Sequence, residues 1–488
     1  MGTVTEHGKL FIGGSYVDPA TDAKLEVISP VTEEVFGRTP EAAPADMDRA
    51  VGAARRAFDE GPWPRMSVAE RVEILRALRN QYEARADELA RLISAETGSP
   101  YSWSILAQVW APIMIWDTFL GLAEQYPWEE LRPGLLGPTL VRSEPIGVAA
   151  AIVAWNVPQF ITVSKIAPAL AAGCAVIVKP SPETALDSYL LADMAQAAGL
   201  PEGVLSIVPA GRENSAYLAA HPGLDKIGFT GSTGAGKAVL AAAAPNLTRV
   251  TLELGGKSAA IILPDADLDV VVPGLLPNAY MNNGQACIAQ TRVLVQRERY
   301  AETVEALAEG VRGLRIGDPL DPETQVGPLV AERQRDRVES YIAKGIGEGA
   351  RAVVGGGRPR DLTKGWYVEP TLFADVDNRM VIAQEEIFGP VVAVIPYEDE
   401  ADAVRIANDS DYGLSGSVWG ADTEHALTVA RQVRAGNYGV NNFAMEFGSP
   451  FGGFKQSGIG REFGPEGLRA YLETKSMHLP NGYTPEGF

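Results

Sequence analysis

Short, uninterrupted apolar runs separated by helix-length stretches constrain this chain more than any other feature. Four such runs lie at 148–154, 175–179, 204–208 and 226–230. A strand that is apolar along its whole length needs both faces covered, as in parallel sheets flanked by helices. Helical stretches such as 188–198, closed by Gly199, fill the intervals. The alternation predicts an α/β fold built on a parallel sheet. Immediately after the run at 226–230 comes Gly231-Ser232-Thr233-Gly234-Ala235-Gly236. Glycines between a strand and a helix let backbone N–H groups approach a phosphate at the helix N-terminus, a Rossmann-type arrangement. The spacing departs from the common dinucleotide fingerprint, so this motif alone is weak.

A second α/β unit starts near Gly256. Strands are expected at 258–263, 292–296, 391–397 and 416–419, with helices at 299–314, 332–348 and 400–408. A helical stretch at 273–285 leads to Cys287. Upstream, 46–59 and 68–97 read as amphipathic helices and 103–126 as a largely buried one. Turn chemistry at 131–138, between two β-prone runs, predicts a surface hairpin. The loop at 437–449 is rich in glycine, asparagine and aromatics, which suits a substrate-facing loop. After Gly467 a short amphipathic piece and a polar tail are expected.

Composition bounds the function classes. At 488 residues the chain is long enough for two or three domains, and its 46% hydrophobic content excludes disorder as the main state. A net charge of −20 argues against nucleic acid and anionic membrane as partners. Two cysteines, Cys174 and Cys287, cannot form a disulfide framework, and a reactive thiol survives best in a reducing compartment. The first nine residues lack an apolar signal core, and no run is expected to span a membrane, so the cytoplasm is the inferred location. Four histidines and two distant cysteines offer no metal-ligand cluster.

One pairing carries chemistry. Glu253, set among apolar neighbours, precedes Cys287 by 34 positions (287 − 253). A thiolate adds to carbonyl carbon, and a carboxylate in a partly apolar site can take a proton from water. The alternative for the same residues is a packed core thiol and a strand-end ion pair.

Leu252-Glu253-Leu254-Gly255-Gly256-Lys257 and Gly284-Gln285-Ala286-Cys287 together resemble the active-site signatures of the aldehyde dehydrogenase superfamily. Further matches follow in the family's order: Trp155-Asn156, Lys179-Pro180-Ser181, Phe229-Thr230-Gly231-Ser232-Thr233, Glu385-Glu386-Ile387-Phe388-Gly389-Pro390 and Pro450-Phe451-Gly452-Gly453-Phe454-Lys455. They span nearly the whole chain and point to the hydrolytic branch, which releases free acid. The resemblance implies a Rossmann-type cofactor domain (1–122 and 144–255), an α/β catalytic domain (256–456) and oligomerisation segments (123–143 and 470–488) forming a homodimer or homotetramer. It also implies a small-molecule aldehyde as substrate.

The same resemblance assigns roles. Cys287 is the nucleophile, Asn156 the oxyanion donor and Glu253 the base for hydrolysis of the thioester. Losing an oxyanion donor costs roughly 3 kcal/mol in the transition state. Trp155, Lys179, Gly231, Ser232, Gly236, Leu254, Glu386 and Phe388 would face the cofactor. Relatives that prefer NAD often carry an acid three residues after this lysine; here that position is Pro182, and Glu183 follows. An acid near the adenosine ribose accepts from a free 2′-hydroxyl and repels a 2′-phosphate. NAD is therefore favoured, with NADP left open by the displacement. Lys165 and Glu462 match a pair behind the base, and Arg249, Arg461 and Glu473 a charge network at the subunit interface. Lys257, Arg292 and Cys174 are read as structural. Tunnel-lining positions by resemblance are Val157, Ile161, Ser164, Ala286, Ile288, Phe443, Met445 and Phe447. None is charged, which favours an apolar aliphatic, terpenoid or aromatic aldehyde. Two other readings stay open: a relative that passes the acyl group to coenzyme A, which tends to lack the acid at Glu253, and a catalytically silent relative.

Overall fold

The computed structural model describes residues 4–488. Its first large sheet has eight strands, in the spatial order Gly458–Ile459, Arg249–Glu253, Lys226–Thr230, Val148–Ile152, Ala175–Lys179, Leu205–Ile207, Leu10–Ile12, Ser15–Val17. The four expected strands are at its centre, joined by Arg249–Glu253, and these five run parallel. Every residue of Val148–Ile152 and Ala175–Lys179 is buried, as apolar runs between two helix layers require.

Strand order reverses beside Val148–Ile152, whose neighbours are Ala175–Lys179 on one side and Lys226–Thr230 on the other. A crevice opens at the carboxyl ends of strands at such a switch point. Register brings Ile152 beside Lys179 and Thr230 beside Glu253, so four strand ends share one rim.

The second large sheet has seven strands: Arg351–Val354, Thr371–Ala374, Val391–Tyr397, Arg292–Gln296, Ala259–Ile262, Gly416–Trp419 and Gly439–Val440. All its pairings are parallel except the first. Arg292, 2% exposed, ties it to the helix Glu400–Asn408 through the carbonyls of Ile406 and Ala407, each at 3.0 Å.

Several elements differ from expectation. The stretch 68–97 is two helices, Val68–Ala84 and Ala86–Thr97, broken at Arg85 (φ −112°, ψ 21°). No glycine or proline marks the break; Asp87 and Glu88 supply the acidic first turn of the second helix. The helix before Cys287 is Leu268–Ala279, capped by Asp267, with Pro273 and Pro277 inside it rather than at its start. Residues 281–284 form a kinked turn with Asn282 and Asn283 left-handed. The tail contains a strand, Leu472–His478, which pairs antiparallel with Thr139–Pro145 of the hairpin. Contrary to the sequence reading, one run, Tyr101–Gln125, is long and apolar enough to cross a membrane (25 residues, mean hydropathy 1.4). Half of its apolar window is buried, with Trp116 and Phe119 fully enclosed, and it packs against Val68–Ala84 and Pro158–Ala172 as a core helix.

Candidate active site

Two cavities meet at Cys287. One, of 350 Å³, is walled by polar and aromatic residues including Trp155, Ser232, Leu254, Glu386 and Phe388. The other, of 220 Å³, is mostly apolar and contains Glu253. Only Asn156, Thr230 and Cys287 line both. A third cavity, of 610 Å³, extends the first past Trp155 and Ser232 to Lys179 and Glu183.

The turn that presents Cys287 is held by two buried asparagines. Asn282 (φ 51°) and Asn283 (φ 60°) are left-handed, a conformation that costs L-residues about 1–2 kcal/mol each and that asparagine tolerates best. Their side chains offset that cost. Asn283 donates to the carbonyls of Gly98 and Pro328, both at 2.9 Å, and accepts from Gly327 N–H at 2.6 Å. Asn282 accepts from the Ser99 hydroxyl and donates to the carbonyls of Asn156 (2.9 Å) and Gln285 (3.1 Å). The Asn156 amide in turn donates to Gln285 O at 3.0 Å. One of its two N–H groups is thereby fixed, which orients the other.

Burial disfavours the charged forms of both Cys287 and Glu253. Burial pushes the Cys287 thiol well above its ordinary pKa, the charges of Glu253 and Glu386 add to this, and the N–H groups of Cys287 and Ile288 oppose it. A free thiol has a pKa of about 8.5 and needs a nearby positive dipole or base to ionise at neutral pH, whereas here burial and the two carboxylates run against ionisation. Glu253 is 3% exposed and both its carboxylate oxygens lack a hydrogen-bond partner. Burial, then the charge of Glu462, raises its pKa well above the usual carboxylate range; Lys165 and Arg461 pull the other way. A side chain at Gly452 would reach Glu253 Oε1 at 2.8 Å, so the glycine leaves room for that oxygen.

The remaining expected residues are distributed as follows. Lys165, 1% exposed, donates to Glu462 and to Thr230 Oγ1, each at 2.7 Å, behind Glu253. Gly256 N–H holds Glu386 Oε1 at 3.0 Å, and burial raises that carboxyl to about 7. Phe388, left-handed at φ 63°, meets Trp155 edge-on with ring centroids 5.3 Å apart. Lys179 lines the outer cavity, and burial lowers its amine to about 8. Ser232 caps the helix Thr233–Ala243 by accepting from Ala235 N–H at 3.3 Å. Gly231 and Ser232 form part of the cavity wall.

Three expectations are corrected. Gly236 is not on the cleft wall: it is buried in the helix, where a side chain would meet Leu254 Cδ2 at 2.5 Å, so the glycine serves packing. Ser164 does not line the apolar cavity; it is 1% exposed and its hydroxyl donates to Ile161 O at 2.8 Å. Arg249 and Glu473 form an ion pair at 2.5 Å, but Arg461 instead donates to the carbonyls of Gly453 and Gly460.

Sequence reasoning missed several lining and holding residues. Trp103, Ala107, Ala111 and Phe160 join the apolar wall from helices whose sequence reads only as core, and Phe451 joins it from the bridge it forms with Glu462. Gln334 and Arg337, on the helix Glu332–Gly347, donate to the carbonyls of Phe388 and Glu386, each at 2.6 Å, and so hold that loop. Their i, i+3 spacing on a polar helix face was the one available signal.

The aldehyde dehydrogenase family model matches residues 16–477. The chain is 47% identical over 475 residues to the geranial dehydrogenase of Castellaniella defragrans, covering 97% of this chain and 99% of the relative. It superposes on a Mycobacterium tuberculosis aldehyde dehydrogenase complexed with NAD+ at a TM-score of 0.97 and 50% identity, covering 99% and 100% of the two chains. A mutant aldehyde dehydrogenase C from Pseudomonas syringae, complexed with NAD+ and octanal, superposes at 0.94 with 41% identity and 96% coverage of each chain. This chain belongs to the aldehyde dehydrogenase family.

Proposed function

We propose that this protein is an NAD-dependent aldehyde dehydrogenase that oxidises apolar aldehydes to free acids through a thioester on Cys287. The observation that carries the reading is the meeting of an apolar and a polar cavity at Asn156, Thr230 and Cys287 alone. Substrate and cofactor could then reach one sulfur from opposite sides. The polar side suits a dinucleotide: Glu386 lines the inner cavity, and Glu183 and Lys179 supply an acceptor and a donor in the outer one. Gly234, whose added side chain would meet nothing within 4 Å, leaves backbone accessible between them.

In this mechanism the Cys287 thiol gives its proton up to solvent, the thiolate sulfur bonds to the aldehyde carbon, and the carbonyl oxygen becomes an oxyanion. The free N–H of the Asn156 amide and the Cys287 backbone N–H donate to it. Bound NAD supplies the acceptor for the hydride that leaves this carbon. The carbon is then a thioester on Cys287. Glu253 takes a proton from water, the resulting hydroxide attacks the thioester, and the carboxylic acid departs as the thiol is restored. A base with a raised pKa abstracts that proton more strongly once ionised. Lys165 and Glu462 act on Glu253 from behind by charge, Glu462 raising its pKa and Lys165 lowering it.

The substrate is apolar because the cavity wall is. Phe160, Phe443, Phe447 and Phe451 surround it, while Ala107, Ala111 and Val157 leave width for a branched chain. Geranial and octanal, the aldehydes named with two relatives, have that character. On this reading 1–122 with 144–255 hold the cofactor, 256–456 form the catalytic domain, and the hairpin sheet is a subunit contact. Leu135 and Leu136, fully exposed at its tip, support that contact. The free thiols Cys174 and Cys287 fit a reducing compartment such as the cytoplasm.

The test is absorbance at 340 nm with a panel of linear, branched and charged aldehydes. Apolar substrates should give turnover, and Cys287→Ala should abolish it while cofactor binding persists. Substantial oxidation by that variant would remove Cys287 from the role.

A further inference from the structure

Arg333 and Glu183 form an ion pair between elements that approach the cleft from opposite sides. Arg333 is the second residue of the helix Glu332–Gly347, beside the seven-stranded sheet. Glu183 lies in the turn Pro182–Thr184 that follows the strand Ala175–Lys179 of the other sheet. Only Arg333, Trp155 and Ser232 line both the inner and the outer polar cavities. The pair therefore crosses the cleft at the junction of the two cavities.

The charge of the outer cavity departs from that of the molecule. The chain carries −20 overall, yet this cavity is lined by Lys179, Arg212 and Arg333 against a single acid, Glu183. That acid is already committed. Its carboxylate accepts from the Ser181 hydroxyl and from Arg333. Burial disfavours its charge, but Arg333 and Ser181 outweigh burial and keep it ionised. The Arg333 side chain is 58% exposed, so its guanidinium can turn without unpacking the helix.

We propose that Arg333 is a cofactor-specificity residue: paired with Glu183 it cancels the repulsion of a 2′-phosphate, and released from it the guanidinium binds that phosphate. The enzyme then takes NADP alongside NAD. This rests on the outer cavity being the adenosine end of the cofactor site. A guanidinium presents a planar fork that matches phosphate, and an ionised hydrogen bond of this kind is worth about a tenfold change in affinity or more.

Calorimetric binding of NAD, NADP, AMP and adenosine 2′,5′-bisphosphate separates the outcomes without turnover. The wild type is expected to bind both dinucleotides, with NADP within about tenfold of NAD. Arg333→Gln should raise the NADP to NAD ratio of dissociation constants at least about tenfold, and Arg333→Lys should recover part of it. Glu183→Gln, which frees Arg333, should move the ratio the other way. The preference for the bisphosphate over AMP should shrink as salt rises. Equal weakening of NAD and NADP by Arg333→Gln would make Arg333 a positioning residue and overturn the proposal. Tight NAD binding with none of NADP would overturn it as well, and leave the dinucleotide site standing. Failure of both to bind would reject the cofactor reading beneath it.

Discussion

The side-chain amide of Asn282 donates to the backbone carbonyl of Asn156 at 2.9 Å, tying the turn before Cys287 to the proposed oxyanion donor. Neither residue touches the other's chemistry, yet the bond sets the spacing between Cys287 and the Asn156 amide. Asn282→Ala removes the bond, leaves the buried Asn156 carbonyl and the Ser99 hydroxyl without this partner, and places alanine at φ 51°. Each orphaned group costs about 1–3 kcal/mol. The melting temperature should fall by a few degrees, and kcat about tenfold or more at unchanged cofactor affinity. A variant with wild-type kcat would show that the tie has no catalytic consequence.

Glu253→Gln keeps the shape of the side chain but cannot accept a proton at neutral pH. Rapid mixing should reveal a burst of one equivalent of reduced cofactor per site, then a steady rate lower by about a hundredfold or more. Hydroxylamine, attacking the thioester directly, should restore part of the turnover. An unchanged steady rate would sink the assignment of Glu253 as base. Loss of the burst would move Glu253 to the first step.

The raised pKa of Cys287 gives a direction for pH dependence. A thiol whose pKa lies above the working range is neutral throughout it, so each pH unit multiplies the thiolate fraction by about ten. Inactivation of the cofactor-free enzyme by iodoacetamide should therefore accelerate steadily from pH 6 to 9. A plateau below about pH 8 would mean that the thiol is already ionised, against the effect of burial and of Glu253.

Ala111 tests the width of the apolar cavity. Ala111→Phe places a ring beside Val157 and Phe160 on the cavity wall. The kcat/KM for branched ten-carbon aldehydes should fall at least about tenfold, while that for propanal changes by less than about threefold. Equal losses for both would indicate misfolding of the wall rather than steric selection.

The hairpin can be tested by light scattering. Leu135→Asp with Leu136→Asp removes the apolar tip and should shift the assembly toward the 52.0 kDa monomer. A wild-type monomer at micromolar concentration would contradict the subunit contact altogether.

What was legible in the sequence followed strong local signals. The strands Arg292–Gln296 and Val391–Tyr397 agree with expectation to the residue, because continuous β-branched runs bounded by loops admit few other states. Cys287, Glu253 and Glu386 were legible because each is embedded in glycine-containing motifs that place backbone as well as side chain. The residues that hold them were not. Asn282 and Asn283 fall inside the expected helical stretch 273–285, and only the fold brings Ser99 and Asn156 to meet Asn282. The strand Leu472–His478 lacks alternation, since most of it is exposed, and its partner lies more than 300 residues earlier in the chain. Arg333 looks like any solvated helix arginine until Glu183 arrives from the other sheet. Long-range pairings of this kind leave no local trace.

Burial that keeps the Cys287 thiol protonated also bears on how long the enzyme lasts between substrates. Peroxides and disulfides attack thiolates, and the ladder from sulfenic to sulfonic acid begins with that ion. A nucleophile stored as a neutral thiol is a poor target for them. Cys174, sealed in the core and pushed up to about 12, is a poorer one still. On the proposed mechanism, the hazard is thereby confined to the interval in which the Cys287 thiol is ionised.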